Sequence, residues 1–265
     1  MLSIEEIKLL IEKLEKVKKE DLQELIDSNL RILKDLEVAI DANNDQMIDR
    51  LDKTTKWFEL DLEEKRTKPF VDPVLQRFVT SKIFQFAKTN IYNSLEIGPG
   101  NGMFSMDFRA WRLNFFLDVL QDREKVIRKK FPRLHQKYLK FYTTRNTECS
   151  NIPQGSCNFV FSWDTFVFFT QQHVQQYLHD IKRVLIPGGY CLIQYADCHY
   201  DVELDLAKRG YWNYNTKTAM TKMIEDEGYE VVEMNQFRPG SSYAIFRKPG
   251  KQNPVVYNIN EIKLD

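Results

Sequence analysis

Apolar and polar positions follow two different periods along the chain. Over the first quarter, apolar residues recur every three or four positions, as in Leu10, Ile11 and Leu14, which predicts amphipathic helices. Beyond it, short apolar runs alternate with helical patterns, which predicts strands connected by helices. The chain therefore divides into a helical appendage over 1–65, an α/β domain over 66–250 and a polar tail over 251–265.

The α/β part contains a series of predicted strands. The first ends at Gly98, and the others follow in order at Leu113–Asp118, Tyr138–Tyr142, Asn158–Ser162, Tyr190–Tyr195, Tyr229–Phe237 and Ser241–Arg247. Helical patterns lie between them at Phe104–Trp111, Arg123–Phe131, Gln171–Leu185 and Thr218–Glu227. This alternation is typical of a doubly wound, mostly parallel sheet. The turn Arg238-Pro-Gly240 makes the last two strands antiparallel.

The stretch Asn93-Ser-Leu-Glu-Ile-Gly-Pro-Gly-Asn-Gly102 ends the first strand in a turn with three glycines. Glycine has no Cβ, so its backbone adopts positive φ and approaches a ligand closely. A strand that ends in such a turn is where open α/β sheets hold nucleotide-like ligands. Asp118 closes the second strand, at the distance along the chain where an acid that binds a ribose is expected.

The glycine spacing separates two kinds of ligand. A dinucleotide fingerprint is G-x-G-x-x-G, whereas this chain has G-x-G-x-G with Glu96 before the first glycine. That pattern resembles the first motif of class I S-adenosylmethionine (SAM)-dependent methyltransferases. The same spacing disfavours an NAD-dependent oxidoreductase.

Further motifs extend this resemblance over about residues 90–248. They are, in family order, Glu148-Cys-Ser-Asn-Ile-Pro153, Phe159-Val-Phe-Ser162, Arg183-Val-Leu-Ile-Pro-Gly-Gly189 and Gly228-Tyr-Glu-Val-Val232. The resemblance implies a doubly wound, Rossmann-like sheet of seven strands with one of them antiparallel, preceded here by the helical appendage.

The resemblance also implies SAM as cofactor, with S-adenosyl-L-homocysteine as the product. Asp118 would bind both ribose hydroxyls, Glu148 the adenine, and Ser162 would lie at the methionine side. The amino-acid end of SAM would be held by Glu96, Gly98, Pro99, Gly100, Asn101 and Gly102.

Acid–base chemistry is expected at the carboxyl ends of the fourth and fifth strands, in Ser162-Trp-Asp164 and Asp197-Cys-His-Tyr-Asp201. His199 is the natural base, because the pKa of histidine lies near neutral pH. Asp164 could orient His199, bind a substrate hydroxyl or cap the following helix. Related sequences often carry a histidine where this chain has Phe168. The acids of these two segments, with His199, could also gather Mg²⁺, but no fixed spacing requires it, so we predict no metal.

The substrate is predicted to be a sugar or a nucleotide-linked sugar, methylated on a hydroxyl. The Ser162–Val167 segment and Tyr211-Trp-Asn-Tyr214 resemble bacterial methyltransferases of surface-polysaccharide and sugar modification. The enzymatic alternative is N- or carboxyl-methylation of another small metabolite. A different class of protein, a non-catalytic assembly partner with this fold, also stays open.

Charge and composition add expectations about partners. Residues 1–65 carry 11 Lys+Arg against 18 Asp+Glu, whereas the chain as a whole is neutral. Opposite charges favour docking of the appendage on the domain or a homodimer through the N-terminal helices. No basic run interleaved with aromatics suggests nucleic acid, and no run of 18 apolar residues suggests a membrane span. Four cysteines without metal spacing, and no signal-peptide pattern, lead us to expect a cytoplasmic protein.

Overall fold

The computed structural model describes residues 72–86, 92–100, 102–108, 112–119, 123–144 and 148–251, with the isolated positions 4, 5, 8 and 34. Nearly all of the helical appendage predicted over 1–65 lies outside the described residues. So do Asn101 and the tail beyond Lys251.

Seven strands form one sheet, as the sequence predicts. They are β1 (Asn93–Ile97), β2 (Leu113–Asp118), β3 (Leu139–Thr143), β4 (Cys157–Ser162), β5 (Leu185–Tyr195), β6 (Glu230–Gln236) and β7 (Ser242–Arg247). Their order across the sheet is β3-β2-β1-β4-β5-β7-β6. β1 to β5 pair in parallel, whereas β7 runs antiparallel to both β5 and β6. The predicted mostly parallel sheet with one antiparallel strand is confirmed.

Helices cover both faces of this sheet. Those in the described ranges are α1 (Pro73–Phe86), α2 (Arg123–Lys130), α3 (Gln171–Val184), α4 (Asp201–Lys208) and α5 (Lys217–Asp226). Threonine side chains cap two of them: Thr170 accepts from His173 N at 3.2 Å and Thr216 from Ala219 N at 3.1 Å. Within the part of the chain that the structure covers, no helix has the length and apolar character needed to cross a membrane.

Two elements differ from the sequence prediction. The pattern does not single out α4, because its eight residues carry only two buried side chains, one of them the carboxylate of Glu203. β5 begins at Leu185 rather than at Tyr190. The Pro-Gly-Gly turn stays in the sheet because Gly188 N donates to Lys248 O at 2.8 Å, while Lys248 N donates to Gly189 O at 2.9 Å.

The sheet separates two apolar clusters. The larger joins β1, β2 and β5 to α3 and α5, and it includes Leu95, Leu117, Leu178, Ile181, Ile193 and Ile224. The other lies under α1 and includes Val79, Ile83, Phe104, Phe159, Phe161, Leu192 and Ile245. Burial on both faces explains why β1, β2 and β4 consist of residues that are all buried.

Polar residues inside the sheet bond to one another. Ser94 donates to Asn114 Oδ1 at 2.8 Å, which joins β1 to β2. The Asn158 amide oxygen accepts from Asn93 N at 2.9 Å, and Asn93 Nδ2 donates to Ser156 O at 2.9 Å, which joins β1 to β4. Buried polar groups cost free energy unless they are hydrogen-bonded, so these pairs favour this order of strands.

Leu192 tests the cluster under α1, because it is fully buried on β5. Leu192→Ala removes buried methyl groups and leaves a cavity, so we expect it to lower the free energy of unfolding by about 2–5 kcal/mol. Urea unfolding followed by circular dichroism measures the loss. Leu134 is 82% exposed, and Leu134→Ala should change the same quantity by about 0.5 kcal/mol or less. Equal losses in the two variants would contradict the placement of this cluster.

Candidate active site

The glycine turn after β1 has a backbone that favours glycine. Gly98, Gly100 and Gly102 have φ values of +67°, +53° and +74°. Gly98 N donates to Leu117 O at 2.8 Å and Gly102 N to Pro99 O at 2.8 Å, so the turn is held to β2 and closed on itself. A Cβ at Gly98 would lie 2.2 Å from Thr165 Oγ1, whereas one at Gly100 would meet no atom of the described residues within 4 Å. The turn is therefore packed on one side and open on the other.

Asp118 lies beside the open part of this turn. It ends β2, next to the end of β1, because Ile97 and Leu117 are partners in the parallel register. Its side chain is buried, and Gly100 N donates to Asp118 Oδ2 at 3.4 Å. The structure thus brings together the turn and the acid that the sequence places about 20 residues later.

Glu96 is a buried carboxylate behind the turn. It is 3% exposed, and its Oε2 accepts from Ser105 Oγ at 2.6 Å. Burial raises the pKa of Glu96 to about 8, with a further contribution from the charges of Asp107 and Asp118, and the Ser105 hydrogen bond acts in the opposite direction. A positive charge brought next to Glu96 would favour its ionised form.

Side chains at the end of β4 hydrogen-bond to the backbone of the glycine turn. Ser162 is fully buried, and its hydroxyl donates to Ile97 O at 2.7 Å. Thr165, which the sequence reasoning did not identify, donates to Gly98 O at 3.2 Å. Both side chains therefore support the backbone of the turn, and the Ser162 hydroxyl is directed to the protein main chain.

The loop that begins at Glu148 is fastened to α3. Arg183 donates from Nη1 to Ile152 O at 2.9 Å and from Nη2 to Cys149 O at 2.5 Å. Asp180 accepts from Arg183 Nε at 2.7 Å and from Cys149 N. The arginine of the Arg-Val-Leu-Ile-Pro-Gly-Gly motif thus fixes this loop, and Glu148 lies half-buried at its start.

Asp164 has an unusual backbone and an unusual environment. It is the one non-glycine residue with positive φ, +54°, in the described part of the chain. Its side chain is exposed, yet the surrounding protein raises the pKa of Asp164 to about 6 through desolvation, against the opposing effects of Gln194 and Arg238. This carboxylate therefore lies at the end of β4, open to water on one side and close to Gln194 and Arg238 on the other.

Gln194 and the hairpin between β6 and β7 lie next to Asp164. Gln194 Oε1 accepts from Asp164 N at 2.7 Å, and its Nε2 donates to Gly240 O at 2.9 Å. Arg238, in the same hairpin, forms an ion pair with Asp72 at the start of α1. Neither Gln194 nor Arg238 was expected from the sequence, although a glutamine inside an apolar strand is a visible signal.

His199 pairs with Asp197, not with Asp164. Its Nδ1 lies 3.0 Å from Asp197 Oδ1, and the same oxygen accepts from Lys217 N at 2.9 Å. The His199 side chain is 57% exposed, whereas that of Asp197 is 4% exposed. The orienting role considered for Asp164 thus belongs to Asp197, which also fixes the start of α5.

The aromatic segment after Asp164 is mainly core. Phe166 and Phe169 pack on Tyr177 of α3, with ring centroids 5.5 and 5.1 Å from it. Phe168 is 7% exposed and packs with Trp212. No group of three or more His, Cys, Asp or Glu with metal-binding geometry occurs among the residues that the structure describes, so it does not support the Mg²⁺ cluster considered from the sequence.

Comparison with known proteins agrees with this geometry. Residues 95–193 match the family described as "Methyltransferase domain". The SAM-dependent methyltransferase from Mesorhizobium loti is similar with a TM-score of 0.54 and 13% identity, over 63% of this chain and 96% of its own. The SAM-dependent methyltransferase from Methanosarcina mazei is similar with a TM-score of 0.50 and 14% identity, over 68% of this chain and 99% of its own. The [4+2]-cyclase SpnF is similar with a TM-score of 0.53 and 11% identity, over 66% of this chain and 80% of its own. No curated protein matches the chain.

The chain thus has the fold of the class I SAM-dependent methyltransferases, and the family match covers β1 through most of β5. That segment includes the glycine turn, Asp118 and the loop held by Arg183. At identities of 11–14% the likeness to the solved structures concerns the fold alone. Together, the match and the fold support a methyltransferase.

Glu96 predicts how stability depends on pH. Its pKa is about 8 in the folded chain and near 4.5 when unfolded, so its contribution to stability is complete below about pH 4.5 and is lost as the pH rises through 8. Glu96→Gln keeps the shape without the charge. We therefore expect the unfolding free energy of the wild type to fall by a few kcal/mol relative to that of Glu96→Gln between pH 5 and pH 8, at about 1.4 kcal/mol per pKa unit. Urea unfolding at several pH values measures this difference, and parallel pH profiles would contradict the buried carboxylate.

Proposed function

We propose that this protein is a SAM-dependent methyltransferase that methylates a hydroxyl of a sugar or of a nucleotide-linked sugar, in the biosynthesis of a surface polysaccharide. One observation carries the cofactor part. The carboxylate of Asp118 lies 3.4 Å from Gly100 N in the glycine turn, and a Cβ at Gly100 would have no atom of the described residues within 4 Å.

The residues present fit SAM. Asp118 would accept hydrogen bonds from both ribose hydroxyls, a bidentate contact that suits a carboxylate. The turn of Gly98, Pro99, Gly100 and Gly102 would let the cofactor approach the backbone, and Glu96 behind it would meet the ammonium group. Glu148 would bind the adenine from the loop that Arg183 fastens.

The acceptor would bind at the ends of β4 and β5. When bound, SAM would supply a methyl group activated by its sulfonium sulfur, with S-adenosylhomocysteine as the leaving group. The protein must hold the acceptor hydroxyl in line and receive its proton. We assign the role of proton acceptor to Asp164. Its side chain is exposed at the end of β4, and desolvation by the surrounding protein raises its pKa to about 6, close to neutral pH.

Two features support a hydroxylated acceptor. Exposed rings stand in the neighbouring segments, with Tyr200 42% and Tyr214 58% exposed, and such rings stack on the apolar faces of sugars. Asp164 and His199 offer polar groups to hydroxyls at the same edge of the sheet. The assignment to polysaccharide biosynthesis comes from the sequence resemblance of Ser162–Val167 and Tyr211–Tyr214.

The cofactor assignment predicts binding of S-adenosylhomocysteine. Asp118→Ala removes the acceptor for both ribose hydroxyls, so we expect the affinity to fall about 10- to 100-fold, as for the loss of hydrogen bonds to a charged group. Gly100→Ala fills the open side of the turn and should weaken binding similarly. Isothermal titration calorimetry measures both. Asp226→Asn, on the exposed Asp226 that pairs with Lys222 on α5, is the matched control and should bind like the wild type. A wild type without affinity for this ligand would refute the assignment.

The acceptor assignment predicts methyl incorporation into sugars. Labelled SAM should transfer its methyl group to nucleotide sugars or simple glycosides, and incorporation only into amines would show that the acceptor is not a sugar. Asp164→Asn should lower kcat on the order of 100-fold, because the base is lost while the shape is kept. The Asp197–His199 pair, with its 3.0 Å contact, is the second source of a base. A 100-fold loss in His199→Asn together with an unchanged rate in Asp164→Asn would move the role to His199.

A further inference from the structure

Gln194 is a buried amide in an apolar strand. It is 1% exposed and stands between Ile193 and Tyr195, which are also buried. A buried amide costs free energy unless its donors and acceptor are hydrogen-bonded. Its place in β5 is therefore stable only because of the partners it contacts.

Both ends of this amide are used. The oxygen accepts from Asp164 N at 2.7 Å, and the nitrogen donates to Gly240 O at 2.9 Å. Exchanging the two ends would set an NH₂ group against an N–H and an oxygen against a carbonyl, so one orientation alone satisfies both neighbours. Gln194 thus connects the end of β4 to the hairpin between β6 and β7.

The connection at β4 is made at a residue with an uncommon backbone. Asp164 has φ of +54°, in the left-handed region, which few residues other than glycine, asparagine and aspartate adopt. Such a conformation persists where the surroundings hold it. The hydrogen bond from Asp164 N to Gln194 is a specific contact that does so, because it fixes the peptide that carries the Asp164 side chain.

The connection at the hairpin brings a cation to the same place. Arg238 stands two residues before Gly240, and Ser241 N donates to Arg238 O at 2.9 Å, which closes the hairpin. Arg238 is the charged group that acts on Asp164 among the described residues, and it is itself paired with Asp72. Gln194 is therefore bonded both to the peptide that carries Asp164 and to the hairpin that carries Arg238.

We infer that Gln194 is a positioning residue of the active site: by bonding Asp164 N and Gly240 O it holds the Asp164 carboxylate and the Arg238 hairpin in the arrangement that receives the acceptor's proton. This inference rests on the proposed function, because the arrangement matters to catalysis only if Asp164 takes that proton.

The pKa of Asp164 tests this role directly. Gln194→Met keeps the size of the side chain and removes both hydrogen bonds. Because the Gln194 amide stabilises the charged carboxylate, we expect the pKa of Asp164 to rise by about half a unit or more. Carbon-13 NMR of protein labelled at aspartate measures it, and Asp164→Asn assigns the resonance. With the sugar found in the methyl-transfer screen, the acid limb of the kcat profile should move to higher pH by the same amount and kcat should fall on the order of 10-fold. The KM for SAM should stay within about twofold of that of the wild type, because the variant changes no residue assigned to SAM binding.

A matched variant separates positioning from stability. Asn158 is also a buried amide whose oxygen accepts a backbone N–H, that of Asn93 at 2.9 Å, but it lies at the opposite end of β4. Asn158→Leu should lower the free energy of unfolding and leave the pKa of Asp164 and the acid limb unchanged. Gln194→Leu provides a second variant if Gln194→Met does not fold, because it also removes both hydrogen bonds without adding a charge. It should raise the pKa of Asp164 in the same direction.

The outcomes separate this inference from the proposed function. If the variants at Gln194 lower stability but leave the pKa of Asp164 and the pH profile as in the wild type, the residue is structural and the inference is wrong. If the wild type fails to bind S-adenosylhomocysteine, the proposed function is wrong. The NMR titration needs neither cofactor nor acceptor, so it still decides whether Gln194 controls Asp164.

Discussion

The alignment of three parallel strands is the constraint on which the site depends. β1, β2 and β4 end at the same edge of the sheet, so the turn after β1 meets Asp118 from β2 and Thr165 just beyond β4. The contacts that hold the turn are short and mainly to main-chain atoms, such as Gly98 N to Leu117 O at 2.8 Å and Ser162 Oγ to Ile97 O at 2.7 Å. A change of register by one residue would move Asp118 to the other face of the sheet, because side chains alternate along a strand. The binding edge is thus a direct consequence of strand pairing.

Buried carboxylates at this edge differ in how they are compensated. Glu203 on α4 accepts from Ser242 Oγ at 2.7 Å, from Gln236 Nε2 at 2.8 Å and from Asp197 N. These donors oppose the burial that raises the pKa of Glu203, and they join α4 to the hairpin strands. Glu96 accepts from Ser105 and has a pKa raised to about 8. A buried carboxylate with several hydrogen-bond donors from the protein, such as Glu203, connects structural elements. A buried carboxylate whose pKa is raised to about 8, such as Glu96, is suited to bind a positively charged group of a ligand.

The sequence predicts the glycine turn and Asp118 better than the contacts at the ends of β4 and β5. Alternating apolar runs and the glycine spacing locate β1, β2 and the turn because these signals are local in the chain. The roles of Thr165 and Gln194 depend on contacts between segments far apart in sequence, as in the bond from Gln194 to Gly240. No periodicity encodes such a contact. α4 was not predicted for a related reason. Its Glu203 is buried because Ser242 and Gln236, from the hairpin strands, donate hydrogen bonds to it.

The fold alone does not determine the reaction, since SpnF, a [4+2]-cyclase, shares it with a TM-score of 0.53. The chemistry must therefore be argued from the residues at the ends of β4 and β5, where the proposed reaction has two candidates for its base, Asp164 and His199. The Asp197 oxygen that contacts His199 also accepts a hydrogen bond from Lys217 N, so this pair also fixes the start of α5. Asp164 has positive φ at the end of β4, and its N–H is held by the buried Gln194. A non-glycine residue held in this conformation beside the glycine turn is a reason to look for a function, and this favours Asp164 as the base of the proposed reaction.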